Sequence, residues 1–209
     1  MTTLLVIAKQ PRPGRVKTRL TPPFTPDEAA ALAEAALADT LDAVAATPAD
    51  RHLLVLQGDR GPWLPPGFEV LPQCAGGLDE RLAAAFAACA GPALLIGMDT
   101  PQVTPALLAP ALAFDRCDAW FGPAADGGFW ALGLAAPDPA LVLGIPMSVP
   151  ETGAVQYARL RAAGLRTALL PCLRDVDTAA DAAAVAARLP AGRFAALHRR
   201  LTAGVRAAR

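Results

Sequence analysis

Leu4-Leu5-Val6-Ile7-Ala8-Lys9-Gln10-Pro11-Arg12-Pro13-Gly14-Arg15-Val16-Lys17-Thr18-Arg19-Leu20 is the stretch from which the fold is read. Four apolar residues open it, and five cations, two prolines and one glycine follow with no acid among them. A buried strand running into a glycine-containing basic loop, with a helix next, is how α/β proteins hold phosphate. Backbone N–H groups and the helix N-terminus face the anion, and Lys or Arg side chains close on it. The plainer alternative is a solvated basic surface loop. Five cations without a compensating acid at a strand-to-helix junction favour phosphate.

Outward from this loop, short apolar runs alternate with alanine-rich helical segments. Thr25 as N-cap, Pro26 at the first helical position and two acids in the first turn predict a helix over 26–46. Leu53–Leu56 reads as a strand, Phe68–Leu71 as a short one, Leu78–Ala90 as a helix and Ala93–Ile96 as a strand. Thr104-Pro105 starts a helix expected to reach Phe114. Ala119–Phe121, Phe129–Leu134 and Thr167–Leu170 read as strands. Glu151–Ala163, Ala179–Arg188 and Arg193–Ala208 read as helices. Buried runs separated by helices imply an α/β fold with three layers (α/β/α) and a mainly parallel sheet covered on both faces.

In such a sheet, ligands sit outside the carboxyl ends of the strands. That rule gives four polar clusters one address: the basic loop, Asp99, Asp126-Gly127-Gly128, and Asp175-Val176-Asp177 each follow an apolar run. A Walker A loop needs G-x-x-x-x-G-K-[ST], and Gly14-x-x-Lys17-Thr18 lacks the second glycine. A dinucleotide fingerprint needs three glycines where this loop has one. What remains is a proline-stiffened cradle in which Lys17 and Arg19 offer charge-assisted bonds to a di- or triphosphate.

The other clusters each carry two readings. Asp99, ahead of Thr100-Pro101, is either a carboxylate for a hard divalent cation that shares nucleotide phosphates, or a helix cap or Asx turn. Asp175 and Asp177 could both meet a metal from a loop, or Asp177 or Thr178 could cap the helix containing Asp181. The Asp126-Gly127-Gly128 turn permits positive φ and close approach of a ligand, or is a bare turn into a strand. Arg81 either reaches a phosphate or base edge, or pairs with Asp79 or Glu80. Trp120 and Trp130 read as core. The tail from Arg193 is an amphipathic basic helix whose default is docking on the body.

Length and composition set limits. At 209 residues the chain fits one domain, and 54% hydrophobic with 18% charged residues excludes general disorder. Nineteen cations balance nineteen acids, so bulk capture of nucleic acid or of an anionic membrane is not expected. Cys74, Cys89, Cys117 and Cys172 form no C-x-x-C pair, which points to reduced thiols. Met1-Thr2-Thr3 leads straight into the first apolar run without a basic leader, and no run approaches the roughly 20 apolar residues of a membrane span. A cytoplasmic protein is expected.

Read together, A-K-Q-P-R-P-G-R-V-K-T-R-L, G-x-D-x-P, G-P-A-A-D-G-G-F-W and D-V-D-T resemble a bacterial family described as glycosyltransferase-like or rSAM/selenodomain-associated transferase, within the nucleotide-diphospho-sugar transferase (GT-A) superfamily. The resemblance runs from about Leu4 to Asp181. It implies a single GT-A-like domain over 1–209 and a transferase taking a nucleotide-sugar or NTP donor, glycosyltransferase-like, with nucleotidyl transfer to a small phosphorylated acceptor as the alternative. A nucleotide-binding module without catalysis is the remaining reading of the same loop, and the two aspartates at Asp99 and Asp177 speak against it. It implies Mg²⁺ or Mn²⁺ on Asp99 and Asp177, catalytic roles for Lys17 and Asp99, and donor phosphate contacts from Ala8, Lys9, Gly14, Lys17, Arg19 and Arg81. Asp126, Gly127 and Gly128 would line the acceptor side. No nucleic-acid partner or membrane span is implied, and a homodimer is compatible with it. Three departures stand out. The first loop lacks the repeated glycines of typical sugar-phosphate nucleotidyltransferases. Where glycosyltransferases of the superfamily carry D-x-D, Asp99 is followed by Thr100 and Pro101, and Met147–Thr152 keeps only part of the expected acceptor segment.

Overall fold

The computed structural model describes residues 1–207. Among these residues seven strands form one sheet in the order β3-β2-β1-β4-β6-β5-β7. They are β1 (Thr3–Lys9), β2 (Arg51–Gln57), β3 (Phe68–Pro72), β4 (Ala93–Ile96), β5 (Ala119–Pro123), β6 (Phe129–Leu134) and β7 (Thr167–Leu169). All neighbours pair in parallel except those of β6, which runs antiparallel to both β4 and β5. The carboxyl ends of β1, β2, β4, β5 and β7 therefore share one edge, and the β5–β6 turn lies on it.

The period-2 alternation of strands sorts the apolar run of β1 onto two faces. Leu4, Val6 and Ala8 pack with Leu37, Leu41 and Val44 of α1 (Pro26–Ala45) and Leu108 of α3 (Pro105–Leu108). Leu5 and Ile7 pack with Leu82 and Phe86 of α2 (Leu78–Ala87) and Leu160 of α4 (Thr152–Ala162). This continuous burial on both sides is why the strand shows no polar alternation. Each fully buried Leu contributes about 1.5–3 kcal/mol relative to exposure.

The third cluster lies outside the sheet. Leu20, Phe24, Val176, the α1 residues Ala29 and Leu32, Val185 of α5 (Ala179–Arg188) and Phe194 of α6 (Arg193–Ala207) are buried together. The tail helix therefore docks on the body. Asp39 of α1 accepts hydrogen bonds from the backbone N–H groups of Arg193 and Phe194 at 2.9 Å each, filling two orphan donors at the α6 N-terminus. Ala208, the last residue of the expected tail helix, lies outside the described residues.

Two expectations need correction. The helix from Thr104 ends at Leu108 and continues only as a 3-10 turn over Ala109–Leu112. Pro110 supplies no N–H, and its ring clashes with the carbonyl one turn back. The basic loop is also not followed directly by its helix. Only a 3-10 turn, Thr18–Leu20, follows it, and α1 begins after Pro22-Pro23, residues that hold their predecessors out of the α region. Thr25 and Glu28 do form the reciprocal box at the start of α1, with Thr25 N–H on Glu28 Oε2 at 2.8 Å.

Candidate functional site

The basic loop is pinned by its two apolar residues. Val16 and Leu20 are buried, while Gly14, with φ 70°, stands at the exposed tip. Between the anchors Lys17 adopts the left-handed conformation, φ 47° and ψ 41°, which turns its side chain inward under the strand ends. Its side chain is only 13% exposed and donates to Asp99 Oδ2 at 2.7 Å, with Asp177 Oδ1 at 3.8 Å. Arg19, largely exposed, donates to the other Asp177 oxygen at 2.7 Å. Lys9 and Arg15 have no ion-pair partner among the described residues, whereas Arg12 pairs with Asp59.

Backbone bonds bring the carboxylates together. Gly97 N–H donates to the Trp130 carbonyl at 3.0 Å, fixing the turn after β4, and Val176 N–H donates to the Asp99 carbonyl at 2.9 Å. Val176 is buried in the third cluster, so the flanking Asp175 and Asp177 are left on the side of Asp99. Thr178, not Asp177, caps α5, in a reciprocal box with Asp181. Asp177 is thereby left for the cleft. Ala125 N–H donates to the Leu173 carbonyl at 2.8 Å, laying the segment before Asp175 along the β5–β6 turn.

The turn itself is tightly built. Asp126 Oδ1 accepts from Gly128 N–H at 2.8 Å, and Gly127 has φ 92°. A Cβ on Gly127 would meet the Pro150 carbonyl oxygen at 2.0 Å, and Gly153 N–H donates to the Gly127 carbonyl at 2.8 Å. The sequence gives the glycine pair but not this close approach of the segment before α4, because nothing local to the turn encodes it. Gly127→Ala is expected to destabilise the fold by at least about 2 kcal/mol, since both φ and backbone contact oppose it. Gly14→Ala, whose Cβ meets nothing within 4 Å, should cost about 1 kcal/mol. Urea denaturation of the two variants checks the contrast.

Electrostatics mark Asp175. Burial, and the negative charges of Asp99 and Asp126, push its pKa up to about 6. For Lys17, burial works to lower the pKa, and the adjacent Asp99 carboxylate outweighs it, leaving the value raised. Linkage turns the raised Asp175 pKa into a pH-dependent stability. The folded state holds its proton more tightly than the unfolded chain, so wild-type stability falls as pH rises from about 4 through about 6. Asp175→Asn should match wild type near pH 4 and exceed it above pH 7 by roughly 1 kcal/mol, solvent screening of a partly exposed carboxyl reducing the full linkage value. Urea midpoints of both proteins at the two pH values check it. The extended spacing about a buried Val176 was the signal that Asp175 belongs beside Asp177.

Other residues singled out from sequence fall as follows. Ala8 is buried in β1 and its carbonyl accepts from Gln73 Nε2 at 2.7 Å, while Lys9 ends the strand, exposed. Among the described residues Arg81 has no ion-pair partner, Asp79 and Glu80 included. Its Nε donates to the Gly76 carbonyl at 3.0 Å and its Nη1 to Gln57 Oε1 at 3.0 Å, which places the guanidinium at the carboxyl ends of β2 and β3. Trp120 and Trp130 each donate their indole N–H to a backbone carbonyl at 2.9 Å. A separate groove of about 870 Å³ runs behind the loop, between Pro11, Trp63, α1 and α6, and its lining includes none of Asp99, Asp126, Asp175 and Asp177.

Among the described residues no three His, Cys, Asp or Glu side chains gather as a complete metal-ligand set. The donor chemistry nevertheless suits a hard divalent cation. Oxygens of Asp99 and Asp177 flank one point, now filled by the Lys17 ammonium, and phosphate oxygens are the natural complement to two carboxylates. Among the described residues no helix is long and apolar enough to cross a membrane.

Residues 29–149 match the family described as "Uncharacterized protein conserved in bacteria (DUF2064)". No curated protein matches the chain. Among solved structures it is similar to a candidate nucleotide-diphospho-sugar transferase from Desulfovibrio desulfuricans G20. The likeness has 28% identity and TM-score 0.87, over 98% of this chain and 96% of that one. A nucleotidyl transferase from Methanothermobacter thermautotrophicus is similar at 16% identity and TM-score 0.57, over 88% and 95%. Rv0371c from Mycobacterium tuberculosis H37Rv, solved in complex with manganese, is similar at 20% identity and TM-score 0.54, over 88% and 96%. The last two establish likeness of fold alone.

Proposed function

The chain belongs to the family described as "Uncharacterized protein conserved in bacteria (DUF2064)", and we propose that it is a divalent-cation-dependent transferase with a nucleotide donor. One observation carries this reading. A lysine from a basic, acid-free loop meets two aspartates from two other strand ends at a single point. Lys9, Arg15, Lys17 and Arg19 would take up the negative charge of the donor phosphates, and Gly14 lets the loop backbone come close. Arg81 faces the donor from the ends of β2 and β3, and Asp126, Gly127 and Gly128 line the acceptor side. A Mg²⁺ or Mn²⁺ ion held by Asp99 and Asp177 would supply charge stabilisation at the departing phosphate. The rest is positioning of donor and acceptor by groups fixed at the strand ends.

The first reading of the group transferred is glycosyl. The acceptor attacks the anomeric carbon and a nucleoside diphosphate leaves. Its support is the 28% identical structural relative, a candidate nucleotide-diphospho-sugar transferase matched along nearly the whole chain. The second reading is nucleotidyl. An acceptor phosphate attacks the α-phosphorus in line and pyrophosphate leaves. Its support is Asp99 itself, which has Pro101 two residues on instead of a second carboxylate. In either case the chain acts in the cytoplasm as one domain of the glycosyltransferase-like, selenodomain-associated kind. The test incubates the protein and Mn²⁺ with nucleotide sugars and NTPs and a pool of hydroxyl and phosphorylated acceptors. Release of nucleoside diphosphate supports the first reading and of pyrophosphate the second. No turnover of any donor contradicts both.

A further inference from the structure

We infer that Lys17 is the resident occupant of the cation seat between Asp99 and Asp177, so that divalent metal and polyphosphate bind together and neither binds tightly alone. The inference rests on the metal and donor assignments just proposed, and adds an order of dependence between them. The geometry supplies the reason. The Lys17 ammonium sits 2.7 Å from Asp99 Oδ2 and 3.8 Å from Asp177 Oδ1, at the point a divalent ion would need. Arg19 holds the remaining Asp177 oxygen at 2.7 Å. Two cations thus neutralise the carboxylates from within.

A metal ion arriving alone must displace an ammonium that is 13% exposed, and among the described residues no other carboxylate lies as close to it as Asp99. Burying an unpaired charge is costly, so the exchange is unfavourable. A polyphosphate changes the balance. It offers Lys17 and the exposed Arg19 new oxygen partners, and in leaving for them both cations vacate Asp99 and Asp177. The Lys17 backbone need not move, because buried Val16 and Leu20 fix it on either side. A long, flexible side chain on a rigid, left-handed residue is suited to such a swing. Thermodynamic linkage makes the effect reciprocal: metal must strengthen polyphosphate binding by the same factor.

The test reads Mn²⁺ binding by electron paramagnetic resonance, without nucleotide, for wild type, Lys17→Met, and the double variant Lys17→Met with Asp99→Asn. Lys17→Met should bind Mn²⁺ at least ten-fold more tightly than wild type, and the double variant should lose that gain. A second measurement needs no variant. In thermal-shift assays of the wild-type chain with Mn²⁺ and inorganic tripolyphosphate, the shift with both should exceed the sum of the separate shifts. Equal Mn²⁺ affinity of wild type and Lys17→Met, with purely additive shifts, overturns the inference and leaves the transferase reading standing. If no form binds Mn²⁺ under any condition, both fall.

Discussion

Asp99→Asn is expected to lower the rate of transfer by about 10²–10³-fold, the loss seen when one preorganised electrostatic partner is removed from a reacting centre. The substitution keeps the shape of the side chain and a hydrogen-bond acceptor for Lys17 but removes the charge. The closest remaining carboxylate oxygen to the ammonium is then that of Asp177 at 3.8 Å. Breaking a fully buried pair costs about 3–5 kcal/mol, but the Asp99 side chain is 30% exposed, so about 1–2 kcal/mol of stability should go with the activity. The two effects separate experimentally. Steady-state rates across a Mn²⁺ titration should stay low at every concentration, while circular dichroism reports a folded protein. A variant with unchanged rate and unchanged Mn²⁺ dependence would remove Asp99 from the site.

Phe194→Ala is the larger effect on the fold. Phe194 is fully buried beside Leu20, Phe24, Leu32 and Val176, and truncating a buried Phe costs about 3–5 kcal/mol. In a chain of this size that corresponds to a fall in Tm on the order of 10 °C. The consequence reaches the site, because the same cluster holds Leu20, three residues after Lys17, and Val176, which lies between Asp175 and Asp177. Loss of donor binding should therefore accompany loss of stability, and urea denaturation together with a binding assay on the folded fraction checks both. This outcome separates α6 as a structural brace from α6 as a free interaction arm. An arm would tolerate Phe194→Ala without loss of stability.

That brace shows where sequence reasoning reaches its limit. Lys17, Asp99, Asp126 and Asp177 were legible because each follows an apolar run, and strand ends in a largely parallel sheet share an edge. The strand at 93–96 and the helix at 179–188 stood out for local reasons, a short apolar run in one case and a Thr cap in the other. What stayed hidden is tertiary. Nothing near Leu20 says that α5 and α6 will cover it, and nothing near Gly127 says that Pro150 will press against it. Asp175 was visible, but its weight was not. Its raised pKa comes from burial and from Asp99 and Asp126, which are distant in sequence. The 3-10 break at Pro110 was a local signal outweighed by the apolar pattern around it.

If Lys17, Asp99 and Asp177 form one site for nucleotide and metal together, ligand stabilisation must depend on both the metal and Asp99. The most direct measurement is a thermal-shift screen of NTPs and nucleotide sugars, with and without Mn²⁺, on wild type and Asp99→Asn. A donor at about 100 times its Kd adds roughly 2.7 kcal/mol, or about 5–10 °C in a protein of this size. At least one donor should give such a shift with Mn²⁺, much reduced without the metal and absent in Asp99→Asn. A flat response across the panel, or a shift that Asp99→Asn leaves intact, would contradict it.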